Sequence, residues 1–180
     1  HVVAARQGDG FTVPGKEEGE YTINPRKEED YQALIKELAA GGNLPRQLLH
    51  FWNVTGNAAG NEKGTAPGEP GKQEVLEIEG VERAADRGYY SLLNLARAVG
   101  RQGLRTEEPG GSSKEILVIT DGMWAVTGKE RVEPLKALVC GAIQVIPAEY
   151  PGISCRGIDI EKPQTLLTGE TGDRDPGVEN

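Results

Sequence analysis

Apolar positions in this chain switch repeatedly between two periods. From Tyr31 they fall at Leu34, Ile35 and Leu38, the i, i+3, i+4, i+7 spacing that lines one stripe of an α-helix. Asn24 is placed as N-cap, Pro25 at the first helical position, Glu28, Glu29 and Asp30 near the positive end of the dipole, and Gly41 as the stop. The pattern therefore predicts a helix ending at about Ala40. LLHFWNV (48–54) is a near-continuous apolar run of strand length, the signature of a parallel strand covered on both faces.

A second helical stripe, Ala85, Tyr89, Leu92, Leu93, Ala96 and Val99, predicts a long helix over about 82–101. ILVIT (116–120) reads as a strand, followed by a turn and MWAV. Pro134 opens a third helix, with Leu135, Leu138, Val139, Ala142 and Ile146 expected on one side, and ISCRGIDI (153–160) is a closing strand. Three short β-prone pieces, 2–5, 11–13 and 21–23, precede the first helix and suggest an N-terminal β hairpin. Alternation of strand and helix in this order implies an α/β fold: a mostly parallel sheet with right-handed crossovers and helices on both faces.

Punctuation separates these elements. Residues 56–72 hold five glycines and two prolines, the composition of a mobile surface loop. Residues 162–180 carry few apolar side chains and read as a loosely ordered tail, leaving 1–161 as the folded domain. At 180 residues, one domain with a substantial core is expected.

Charge narrows the range of partners. A formal net charge of −8 argues against a nucleic-acid backbone or an anionic membrane surface, and no apolar run reaches the roughly 20 residues of a membrane span. The opening HVVAARQGDG has neither a basic n-region nor an apolar h-region, so a cytoplasmic location is expected. His1 with no Met before it is expected of a piece excised from a longer polypeptide. Cys140 and Cys155, far from any CxxC pattern, read as two reduced thiols in or near the core. His50 is the only internal histidine, so no His-based zinc cluster is expected.

Four features could carry chemistry. Thr55, Gly56 and Gly60 follow a strand as a dinucleotide loop would, but Glu62 stands where a third glycine is needed, and the Gly/Pro-rich continuation does not open a helix. Tyr90 and Asn94 form YxxxN, one turn apart as a proton relay requires, with no serine a dozen residues upstream to polarise a carbonyl. His50 sits among leucine and aromatics as a strand histidine. Asp121-Gly122 stands where a parallel strand delivers functional groups, and a turn explains it equally well. None of these completes an active site, so no catalytic, cofactor-binding or metal residue is expected.

Several segments together resemble the structural subdomain of modular polyketide synthase ketoreductases. They are the opening DGFTVPGKEEGEYTINPRKEEDYQALIKEL, then LLHFWNVTG, YYSLLNLARAV, ILVITDGMWAVTGKE and, most specifically, EPLKALVCGAIQVIPAEYPGISCRGIDIE. The resemblance covers roughly residues 2–161. It implies a truncated Rossmann-like fold that binds no cofactor and buttresses a second, catalytic half carrying NADPH. Partners would be that catalytic subdomain or neighbouring synthase domains, a methyltransferase or enoylreductase among them, and a pseudo-ketoreductase is one form of the arrangement. The alternative is a self-standing NADPH-binding, short-chain-reductase-like domain using Thr55–Gly60 and Tyr90.

Overall fold

β4 (Lys114–Asp121) organises the molecule, because it is apolar on both of its faces: Ile116 and Val118 point one way, Leu117 and Ile119 the other. In a computed structural model, which describes residues 2–15, 20–54, 70–103, 113–128 and 132–160 (70–77 by backbone alone), β4 pairs in parallel with β3 (Gln47–Asn53) and β5 (Ile153–Ile160). The strand order is β3-β4-β5. β1 (Ala4–Gln7) and β2 (Glu20–Ile23) form a separate two-stranded sheet. The α/β fold with a parallel sheet that the sequence predicts is what the chain adopts.

Two details of that expectation are corrected. β1 and β2 run parallel, Ala4 opposite Glu20 through Gln7 opposite Ile23, so they are not a hairpin. The intervening segment 8–19 matches the dozen or so residues that a parallel return requires. The expected strand at 11–13 reduces to a single antiparallel bridge, Thr12 to Thr22, whose hydroxyls lie 2.5 Å apart.

Among the described residues, the helices packed against the three-stranded sheet lie on one of its faces, where both were expected. α1 (Glu28–Ala40) brings Tyr31 edge-on to Trp52 at 6.3 Å. α3 (Ser91–Gly103) buries Leu92, Ala96 and Val99, and its Ser91 bonds His50 of β3. α4 (Val139–Glu149) lies over β5 on the same side, where a Cβ on Gly157 would come 3.1 Å from Ile143. Register fixes the faces: Leu48, Ile116 and Cys155 align under the helices, whereas Leu49, Leu117 and Arg156 align on the opposite side. With a single helical layer, the second face of the sheet has no covering element among the described residues.

Element ends show where local chemistry moved the boundaries. α1 begins at Glu28, not beside Asn24. Asn24 instead makes a turn, its Oδ1 accepting from the Arg26 amide at 2.9 Å, while its own amide donates to Asp30 at 2.8 Å. At the other end Gly42, with φ +67°, takes the left-handed position that Gly41 was expected to fill. The long helix starts earlier than its apolar stripe suggests: α2 spans Pro70–Ala85, so residues 70–72 of the expected loop are helical and Pro70 is a helix starter. The remainder of that loop, 56–69, and the tail 162–180 lie outside the described residues.

Between α2 and α3 the turn Asp86–Tyr90 is π-helical. Gly88 explains why the chain loosens there. A Cβ at this position would sit 2.7 Å from Asn53 Oδ1 and 2.9 Å from Val139 Cγ1, so only a glycine lets this turn close onto β3 and α4. The third helix begins as a 3-10 turn, Pro134–Leu138, before becoming α4. Three residues per turn eclipse Leu135 and Leu138 on the outside and swing Lys136 inward, which reverses the expected burial of those two leucines. Val139, Ala142 and Ile146 are buried as predicted.

Candidate functional site: an interaction surface

The positions with chemical potential fall into three separate places. His50 is fully buried under α3. Its Nε2 lies 2.7 Å from Ser91 Oγ, and that hydroxyl donates to the main-chain carbonyls of Arg87 and Gly88 in the turn before it. One hydroxyl proton cannot serve both directions, so Nε2 carries its own proton and donates to Ser91. Burial lowers the imidazole pKa to about 4. Among the described residues His50 Nδ1 and Asn53 Nδ2 have no partner. A neutral histidine sealed beneath a helix reads as core, not as a general base.

Tyr90 and Asn94 both line a cleft of about 390 Å³ between the start of α1 and the π-helical turn. The cleft is walled by ion pairs. Arg26 Nε meets Asp86 at 2.5 Å, and Glu28 receives Arg97 at 3.3 Å and Arg101 at 2.5 Å. Asn94 Nδ2 donates to the Pro25 carbonyl at 3.2 Å, and Tyr31 Oη donates to the same oxygen at 3.3 Å. The Asn94 amide is thus engaged in holding the approach to α1 against α3. Tyr90 stays half exposed, stacked edge-on to Tyr89 at 5.4 Å.

At the carboxyl end of the sheet, where a doubly wound fold would place a ligand, two carboxylates are already committed. Asp121 accepts from Lys136 Nζ at 2.5 Å, with the Asp121 carbonyl at 2.8 Å and Glu133 at 3.2 Å from the same ammonium. Gly122, φ +67°, makes the turn that the Asp-Gly pair suggested. Asp159 accepts from Thr120 Oγ1 at 2.7 Å and from the amides of Met123 and Trp124, at 3.0 Å each to Oδ2. The Met123 and Trp124 amides are thus held by the Asp159 carboxylate. Thr55, Gly56 and Gly60 lie outside the described residues.

Cys140 and Cys155 are free thiols. Cys155 is buried, which raises its pKa to about 11, and Cys140 Sγ lies 3.6 Å from the Met123 sulfur. Among the described residues no group of three or more His, Cys, Asp or Glu is placed to hold a metal ion, and no helix is long and apolar enough to cross a membrane.

What stands out instead is exposed apolar surface. On the open face of the sheet Leu49 is 54 %, Phe51 51 %, Ile158 43 % and Ile160 40 % exposed, flanking Leu117 and the buried Ile119. At the carboxyl end Trp124 and Val126 are exposed, and on the outside of the helices so are Ile78, Val81 and Val145. Single exposed apolar residues mean little, but several aligned on one sheet face make a candidate interaction surface. Sequence reasoning did not find this face, because LLHFWNV and ILVIT look the same whether one layer or two lies over them.

The architecture is therefore a parallel α/β sheet of the Rossmann-like class, with helices on one face among the described residues. A family model described as beta-ketoacyl synthase-like, N-terminal, matches residues 1–66, the stretch that includes β1, β2, α1 and β3. Among solved structures, the multidomain adenylation, ketoreductase and pseudo-Asub structure of a keto acid-selecting NRPS module matches 96 % of this chain, with TM-score 0.69 and 17 % identity. An N-terminal ketoreductase from a macrolactin assembly line matches 88 % of it, with TM-score 0.56 and 22 % identity. The chain spans 12 % of the first of those chains and 27 % of the second. No curated protein matches it. Both structural matches, each under 25 % identical, agree with the Rossmann-like fold that the ketoreductase resemblance implied.

Proposed function

We propose that this chain is the noncatalytic structural subdomain of a ketoreductase region in a polyketide synthase module, and that it stabilises the catalytic subdomain or a neighbouring methyltransferase or enoylreductase. The observation that carries this reading is the bare apolar face of an all-parallel sheet: such sheets are covered on both sides in finished proteins. Its groups with chemical potential, His50, Asn94, Asp121 and Asp159, are tied into packing, which suits a scaffold. NADPH would belong to the partner subdomain.

The test is co-expression of the chain with the catalytic ketoreductase subdomain of its module. A 1:1 complex by light scattering, with the catalytic subdomain melting higher and reducing faster than it does alone, is the expected result. A catalytic subdomain indifferent to this chain in both stability and turnover overturns the reading.

The alternative, a self-standing NADPH-binding reductase-like domain, draws on one observation: Tyr90 and Asn94 share a cleft. Saturable NADPH binding by this chain alone, lost in Gly56→Glu, would favour it.

A further inference from the structure

The open sheet face has an internal boundary that defines what fits on it. At its amino end polar side chains from all three strands meet, Gln47 beside Glu115 in one row and Arg156 reaching back from the next, where it lies beside Leu117. Gln47 Nε2 donates to Glu115 Oε2 at 2.9 Å, and Arg156 pairs with the other Glu115 oxygen. These bonds hold the Glu115 carboxyl below the usual range, Gln47 contributing most. Arg156 apart, the face beyond is apolar as far as Ile160, which pairs with the buried Asp121: Leu49 beside Leu117, Phe51 near Ile119 and Ile158, then Ile160. A hydrogen-bonded polar cluster bordering a dry patch is the rim-and-core arrangement of an interface.

Its size selects the occupant. Three strands about 4.8 Å apart and four residues rising about 3.3 Å each give a patch on the order of 10 by 13 Å. The four half-exposed side chains present on the order of 350 Å², short of the about 800 Å² per partner that two folded copies would bury in a stable pair. One α-helix, about 10 Å across with three turns in contact, matches the patch in width and length. β5 also delivers the polypeptide at Ile160, on the patch itself, and the matched chains that contain this fold are several times longer than it.

We infer that the carboxyl half of this face is the seat of a single amphipathic helix, its apolar residues at i, i+3 or i+4, and i+7, supplied by the adjoining catalytic ketoreductase subdomain. The inference rests on the scaffold reading and adds to it the face, the element and the boundary of the footprint. Gln47, Glu115 and Arg156 stay at the wet rim and set how far the helix extends. The outward residues of the helical layer, Ile78 and Val145, take no part.

The test uses the co-expressed complex with p-benzoylphenylalanine in place of Phe51. Illumination is expected to give adducts on one partner helix at positions three, four or seven apart. The double variant Phe51→Glu, Ile158→Glu is expected to weaken the complex at least tenfold, and Ile78→Glu, Val145→Glu to leave it unchanged. Circular dichroism checks folding, and Phe51→Ser with Ile158→Thr replaces the charged pair if that pair fails to fold. A complex that forms while position 51 captures nothing, or captures residues two apart as a strand would present them, overturns this inference and leaves the scaffold reading standing. Undiminished affinity in the sheet-face variants does the same. Absence of any complex removes both.

Discussion

Lys136 and Asp121 meet as a buried ion pair, Nζ to Oδ1 2.5 Å, with both side chains 7 % exposed. The pair ties the 3-10 turn before α4 to the end of the central strand. It exists because the tight turn points a lysine, not a leucine, at the sheet.

Lys136→Met is expected to destabilise the chain by about 3–5 kcal/mol, since it takes the ammonium away from a buried carboxylate. Adding Asp121→Asn should recover much of that loss, because the second change removes the buried negative charge that Lys136 balanced. Urea unfolding of the two single variants and the double variant measures both effects, and equal stability of Lys136→Met and the parent would refute the pairing.

Gly88→Ala places a methyl group 2.7 Å from Asn53 Oδ1 and should cost about 1–3 kcal/mol through overpacking. Gly141→Ala is the control. Gly141 is exposed in α4 with nothing within 4 Å of its added Cβ, and the substitution should gain about 0.5–1 kcal/mol. Opposite signs in thermal melts are expected.

Acid should weaken the fold through His50. Its pKa falls from 6.5 unfolded to about 4 folded, so between those values the unfolded chain binds a proton that the folded chain refuses. Stability therefore declines as pH drops from about 6.5 towards 4, by at most about 3 kcal/mol from this group. His50→Gln removes the titration. The difference between its urea midpoints at pH 7 and pH 4.5 should be smaller than the parent's.

Thiol labelling of the native chain at pH 8 should modify Cys140 and spare Cys155, whose pKa is raised to about 11 by burial. Both should react in urea. Equal native rates would contradict the placement of Cys155 beneath the helices.

Order and type of the elements were legible in the sequence, since Tyr31, Leu34, Ile35 and Leu38, and the apolar runs of β3 and β4, carry unmistakable periods. What escaped is what periodicity cannot encode. Lys136 exchanges places with Leu135 and Leu138 because the first turn is 3-10, and nothing in EPLKAL announces three residues per turn rather than 3.6. The π-helical turn depends on Gly88 meeting Asn53, a contact 35 residues apart in sequence. β1 and β2 are parallel because of the length between them, and short β-prone pieces in succession look like a hairpin. The interaction face stayed hidden for a simpler reason. Leu49 and Phe51 are apolar, so a reading that places apolar residues inside credited them to a second helical layer that the described residues do not supply.

The neighbour relation β3-β4-β5 also bears on synthesis. β4 is gripped on both sides by strands that each join it in parallel, and the second grip is supplied by residues 153–160, the last strand described. A nascent chain emerging from the ribosome cannot finish this sheet until Ile160 has cleared the exit tunnel. Until then Leu117 and Ile119 wait beside an empty edge, a natural landing place for chaperones.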